Sequence, residues 1–398
     1  MGLSWARLGG IVLLGTVLGA CHLILPLSAA TDGDTDGHRP RGDGFQDVAD
    51  MFGEPDRPRG DGGSDGAGAD ISSDLPSSPW LEESVPGSVP FTKTLLDVNG
   101  GLSKVIAVGE DCTVIQRDLD NGKWSAFAPP QCTTTTTRFT AVWGTTSALF
   151  VATNDSHVHA YSSGWSKKMV PYSPGLLADL WGVSTSDVVV VGDYGIQGNT
   201  STWSYNGNSW FPEPPSPSVD ANLRGVWGTD PGLQDAFRLA VGGSGTLLWK
   251  PIGPIWGFVP AWAPFLWGWS GSEDFRAVWG SGPTDVFIVG DEVVAHFDGN
   301  ALNKAGTPLC HFHGVWGSGP HSAYAVGSTA VGACTGNPGP MADGCAYQVI
   351  HDPVTGKYSI PPSLLPPNTK PLCSIWGDTS TKKVFAVGES GTILRLDL

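Results

Sequence analysis

The stretch that decides the fold begins Phe275-Arg276-Ala277-Val278-Trp279-Gly280 and turns over Ser281-Gly282-Pro283-Thr284-Asp285. It continues Val286-Phe287-Ile288-Val289-Gly290-Asp291, with a further apolar run from Val293 to Gly299. Apolar and small residues alternating between Gly, Pro and Asp turns are the chemistry of short strands, without the 3.6-residue period of a helix. The Trp-Gly pair recurs at Trp143, Trp181, Trp227, Trp316 and Trp376. A Val-Gly or Val-Ala pair follows each one, at Val151, Val191, Val241, Val289, Val326 and Val387. An eroded copy, Val98-Asn99-Gly100 and then Val108-Gly109, precedes them, so the chain carries seven units.

Each unit reads as four strands. Strand A ends in Trp-Gly, strand B ends in Val-Gly, strand C resembles Thr392–Leu396, and strand D carries an aromatic marker: Trp124, Trp165, Trp210, Trp256 or Tyr358. Four-stranded units of roughly 40–45 residues, repeated radially, are the signature of a β-propeller. The expected fold is therefore an all-β, seven-bladed propeller over residues 79–398. The repeated Trp suits either a sugar platform or interblade core, and its regular recurrence favours core. The seventh unit ends after strand C, while Pro79-Trp80-Leu81-Glu82 stands upstream as an orphan D-like segment. Residues 79–91 are expected to close the last blade, with the repeats starting near residue 92 and no sheet edge left open.

The pattern Val-Trp-Gly, Asp-Val-Phe-x-Val-Gly and Gly-Thr-Ile-Leu resembles a large group of secreted propellers abundant in myxobacteria, some of them lipoproteins. It is similar more distantly to BNR/Asp-box and photosystem-assembly-factor propellers. The resemblance implies a fold and little about function, since propellers host enzymes, receptors and scaffolds. The Ser-x-Asp-x-Gly-x-Thr-Trp box of sialidases is absent from the sequence, so no catalytic residue carries over.

Composition agrees with many turns and a Trp-rich interior: 55 Gly, 32 Pro and 17 Trp in 398 residues. The formal net charge is −16, half of it in residues 31–75, and the remainder of the chain is only mildly acidic. Without a basic face, nucleic acid is not an expected partner.

Residues 1–30 have the shape of an export signal, with a short basic start, an apolar middle and small residues near a cleavage site. Leu18-Gly19-Ala20-Cys21 resembles a bacterial lipobox, which implies acylation of Cys21 and membrane attachment by lipid. Cleavage after Ala30 and an uncleaved anchor are the alternatives. All three place the bulk of the chain outside the cytoplasm, at the outer membrane or cell surface, in the periplasm, or secreted. Residues 31–78 are rich in Gly, Asp and Pro, too poor in apolar side chains to fold, and read as a disordered acidic tether. Two copies of Arg-Pro-Arg-Gly-Asp-Gly begin at Arg39 and Arg57, suited either to an integrin-type ligand or to an expanded spacer repeat. Asp32, Asp34, Asp36 and Asp43 match the start and twelfth position of a Ca2+ loop, but Pro40 interrupts it and no flanking amphipathic helix exists. A solvated spacer with no cofactor is the main reading.

Six cysteines remain beside Cys21, an even number that suggests three disulfides in an exported protein. Proximity favours Cys112–Cys132, Cys310–Cys373 and Cys334–Cys345; zinc is disfavoured because no CxxC or paired CxxxH spacing occurs. In a propeller, B–C and D–A connections share one face. The long excursions, Asp193–Thr200, Pro260–Asp274, Thr329–Cys345 and Pro361–Leu372, are all of those two kinds, and binding residues concentrate on loops held by rigid scaffolds. Within the aromatic run Trp256–Trp269, Trp262, Trp267 and Trp269 are the candidate anchors for a partner, unless they pack their own loop. The histidines form no recognisable catalytic or metal pattern; His311 and His313, alternating on strand A of unit six, are the best-placed pair.

These residues point to a monomeric, non-catalytic module that binds an envelope or extracellular protein or glycan. The alternative is a glycan-active propeller hydrolase or lyase. Carboxylates or histidines converging at the axial mouth would favour the enzyme, and a mouth of small and apolar groups the binding module.

Overall fold

The computed structural model describes residues 78–87, 91–127, 136–229, 236–251, 263–264, 271–335 and 342–398. The leader with Cys21, the tether through residue 77 with Asp32, Asp34, Asp36 and Asp43, and Cys132, Trp256, Trp262, Trp267 and Trp269 lie outside the described residues.

Seven antiparallel sheets of four strands form the propeller. Their innermost strands are Leu95–Gly101, Phe139–Gly144, Leu177–Ser184, Leu223–Gly228, Phe275–Gly282, His311–Gly319 and Leu372–Asp378, here blades one to seven. Each contacts the next, and blade seven contacts blade one, so the circle is closed. The apolar cores lie between blades; one cluster joins Leu239 and Val241 of blade four to Phe275, Val286 and Ile288 of blade five.

The Trp-Gly pair has a direct steric cause. The Trp ring of one blade lies over the Gly of the next, and a Cβ at Gly228 would fall 2.6 Å from the Trp181 ring. The same relation links Trp143 to Gly182, Trp227 to Gly280, Trp279 to Gly317, Trp316 to Gly377 and Trp376 to Gly100. Asn99 stands where blade one would carry its Trp, and there Leu149 approaches Gly101 and Gly144 instead. The repeated Trp is therefore interblade packing.

The Val-Gly pair has a second cause. Every innermost strand carries a β-bulge at one place, skipping Leu96, Thr140, Ala178, Arg224, Arg276, His313 or Cys373 in the pairing. Opposite the bulge the two backbones come so close that a Cβ at Gly290 would sit 1.9 Å from the Asp274 carbonyl oxygen. Only glycine fits there without moving backbone. Blade two corrects the sequence register: Ala152 pairs with Ala141 and Thr153 with Phe139, so Ala152-Thr153 occupies the place expected for Val151-Ala152.

Two further expectations change. The outer strand of blade four includes Ala263–Pro264, inside the segment read as the Pro260–Asp274 loop, and its expected marker Trp256 lies outside the described residues. The strand of blade three extends to Gly195, shortening the loop expected at Asp193–Thr200 to residues 196–199.

The last sheet takes its outer strand from the other end of the chain. Trp80–Glu82 pairs antiparallel with Ile393–Asp397, with Trp80 opposite Leu396 and Glu82 opposite Leu394. Trp80 is 2% exposed. Its ring meets Tyr324 edge-on at 6.4 Å, and its Nε1 donates to the Ser363 hydroxyl at 2.9 Å, both in or beside blade six.

Candidate functional site

The innermost strands surround an axial tunnel of about 350 Å³, lined by the edges of Trp143, Trp181, Trp227, Trp279, Trp316 and Trp376. On the face of the B–C and D–A connections it meets a wider mouth of about 750 Å³. The bulged residues stand between the two cavities, because Leu96, Thr140, Ala178, Arg224, Arg276, His313 and Cys373 line both. A bulge re-aims the side chain it carries, and here it directs one residue per blade toward the axis.

That ring is polar on one side. Arg224 donates to Asp193 at 2.8 Å, and Arg276 grips Asp291 through two bonds of 2.8 and 3.0 Å. Burial alone would raise the Asp291 carboxyl, but the Arg276 bonds and charge outweigh it and hold the group low. His311 Nδ1 lies 3.3 Å from Asp291, while burial, then the Arg276 charge, push His313 down to about 3. His313 is thus a neutral imidazole at the rim. Arg138 completes the lining from blade two and donates to the Thr335 carbonyl.

Deeper in the tunnel are two carboxylates. Burial pushes Asp97 up to about 6, against hydrogen bonds from Ser374, Val142 and Val98. Burial, then the Asp97 charge, push Asp179 up to about 8. Both act as staples between blades: Asp97 Oδ2 accepts from Val142 N at 2.6 Å, and Asp179 Oδ2 from Val226 N at 2.8 Å. The mouth thus matches neither sequence expectation in pure form: ion pairs surround its rim, and carboxylates stand below it.

Two disulfides brace this end of the molecule, with pairings different from those proximity favoured. Cys310 bonds Cys345, and Cys334 bonds Cys373. Short sequence separation misled at Cys334 and Cys345, because Cys334 bonds across to the next blade and Cys345 bonds within its own. Cys334, on the long loop of blade six, meets the bulge residue of blade seven, and Cys310, just before the innermost strand of blade six, meets the third strand of its own blade. Cys112 is also disulfide-bonded, and its expected partner Cys132 lies outside the described residues. Trp262, Trp267 and Trp269 do as well, so the aromatic anchors are not placed.

Sequence reasoning missed one cluster on the opposite face. His296 Nε2 lies 2.7 Å from Asp285 and its Nδ1 3.2 Å from the Tyr358 hydroxyl, with His351 and His321 rings packed alongside. The three histidines come from two blades, His296 and His351 on strands and His321 on a turn, so no linear spacing marks them. Among the described residues, no group of three or more His, Cys, Asp or Glu is arranged to hold a metal ion.

No family model and no curated protein match this chain. Solved propellers do. YCF48 bound to a D1 peptide is 15% identical with a TM-score of 0.54, covering 81% of this chain and 97% of that one. The WD40 propeller domain of Doa1 is 12% identical at 0.56, covering 79% and 96%. The WD40 repeats of RRP9 are 11% identical at 0.57, covering 81% and 99%. At these identities the likeness is one of fold: this chain is a seven-bladed β-propeller, similar in fold to the YCF48 and WD40 propellers.

Proposed function

We propose that this chain is an exported, non-catalytic binding propeller, acting as a monomer at the cell envelope and presenting its loop-rich face to a protein or glycan. Acylated Cys21 would hold it at the membrane, with residues 31–78 as the tether. The observation that carries the reading is the concentration of the long loops, the 750 Å³ mouth and the Cys334–Cys373 disulfide on one end of the ring. A rigid scaffold with braced loops is pre-organised for binding, which lowers the ordering cost of association. Trp262, Trp267 and Trp269 supply the aromatic anchors in this reading. The YCF48 structure, solved with a peptide bound, supports a peptide or protein ligand. Screening the oxidised and reduced chain against glycans and envelope proteins tests it: binding should require the oxidised form, and turnover without stable binding would overturn it.

The second reading, a glycan-active hydrolase or lyase, is favoured by Asp97 and Asp179, two carboxylates pushed to different values in one cavity. Loss of glycan turnover in a folded Asp179→Asn variant would establish it.

A further inference from the structure

The loop face carries an uneven distribution of charge and apolar surface. The turn after strand B holds Glu110 and Asp111 in blade one, Asp155 in blade two, Asp291 and Glu292 in blade five, and Glu389 in blade seven. Other connections on this face add exposed Asp220, Asp274 and Asp343. The basic residues there are mostly committed, Lys93 to Asp111, Arg224 to Asp193 and Arg276 to Asp291, which leaves Glu110, Glu292, Glu389, Asp220, Asp274 and Asp343 in excess over exposed Lys370. On the opposite face, by contrast, Lys104, Lys123, Lys357 and Lys382 stand among the acids of the turns.

Among these acids are four apolar side chains at loop tips: Tyr172, Ile196, Leu309 and Val331, with Ile196 86% and Leu309 78% exposed. Single exposed apolar residues are ordinary on any protein. Four of them on the connections of one end, outside the lining of the mouth, are separate apolar tips set in negative charge. From this charge complementarity we infer that the loop face takes a basic, amphipathic polypeptide segment, its Lys or Arg side chains facing the acidic turns and its apolar side chains seated on these tips. The inference rests on the loop-face reading above and adds the chemistry of the partner. Exposed charges steer association and are screened by salt within about 10 Å, so affinity should fall as salt rises.

The test uses the full chain and three synthetic peptides of equal length: Lys/Leu, Glu/Leu and Lys/Ser. Binding is measured by calorimetry at low and physiological salt, with melting temperature as the control for folding. The Lys/Leu peptide should bind best, and weaken by about tenfold or more in Ile196→Ser/Val331→Ser and in Asp220→Asn/Glu292→Gln. The pair Asp352→Asn/Val354→Ser, on the other face and with Val354 91% exposed, should change nothing. Equal binding of Lys/Ser removes the apolar part of the inference, and preferred binding of Glu/Leu or of a glycan with the same loop-face dependence overturns it while leaving the loop-face reading intact. Loss of binding only in the Asp352/Val354 pair overturns both. No binding by any peptide overturns the partner chemistry.

Discussion

Glu83, the residue after the closing strand, is held by Arg117 of blade one through two hydrogen bonds of 2.8 and 2.9 Å. Its other contacts are Trp124 Nε1 at 2.7 Å and Arg395 of blade seven at 2.7 Å. One carboxylate thus ties together the first and last blades and the strand that joins them. Arg117 is 2% exposed, so Glu83→Ala would strand a buried cation and should cost ~3–5 kcal/mol. Urea unfolding checks this.

The same carboxylate gives an acid limit. Burial alone would raise Glu83, but the Arg117 and Trp124 bonds and the Arg117 charge bring it below its ordinary value. A lowered acid stabilises the fold above its unfolded value, and that contribution disappears as pH falls through the folded one. Wild type should therefore lose stability below about pH 4.5 more steeply than Glu83→Gln.

Histidines give a dependence of the same sign at higher pH. Burial, then the Lys167 charge, push His159 down to about 4, and its two ring nitrogens are buried without partners. The unfolded chain takes up that proton near pH 6.5, so stability present above 6.5 is lost as pH falls toward 4. His159 already packs on Phe139, with ring centroids 5.4 Å apart. His159→Phe should be neutral or stabilising at pH 7 and relatively more stable at pH 5. Thermal melts at both pH values that show no difference in slope would contradict this.

The bulge predicts which glycines tolerate a methyl group. Gly290→Ala meets the Asp274 backbone and should cost ~1–3 kcal/mol or more, while Gly282→Ala, with nothing within 4 Å, should be near neutral.

Disulfide mapping checks the brace. Peptides from the non-reduced protein should link Cys310 to Cys345 and Cys334 to Cys373. In the chain-entropy account, losing the 39-residue Cys334–Cys373 closure costs ~4 kcal/mol. A Cys334–Cys345 peptide would contradict the structure.

The ring was legible in sequence because its repeat is steric. Trp over Gly recurs in every blade junction but the one that starts at Asn99, and Gly beside a bulge in every blade but the second, so each leaves a repeated residue type. Blade two escaped the register because Thr153 fills the glycine place and uses its hydroxyl locally, toward Asp155 and the His157 carbonyl. The Cys334–Cys373 pairing and the His296–Asp285–Tyr358 cluster were not legible, since both depend on which parts of adjacent blades face each other, and Cys310–Cys345 depends on the strand register within blade six. The ion pairs of the mouth were hidden for the same reason: Arg224 and Arg276 sit at a repeat position that other blades fill with Leu, Thr, Ala, His or Cys.

The central claim is that the B–C and D–A face binds while the ring only holds it in place. Hydrogen exchange on the full chain, with and without whichever ligand the screen retains, tests it most directly. Protection should rise at residues 196–199, 220–222 and 329–335 around the mouth. Protection confined to the turns at 119–123 and 352–356 on the opposite face would contradict the account.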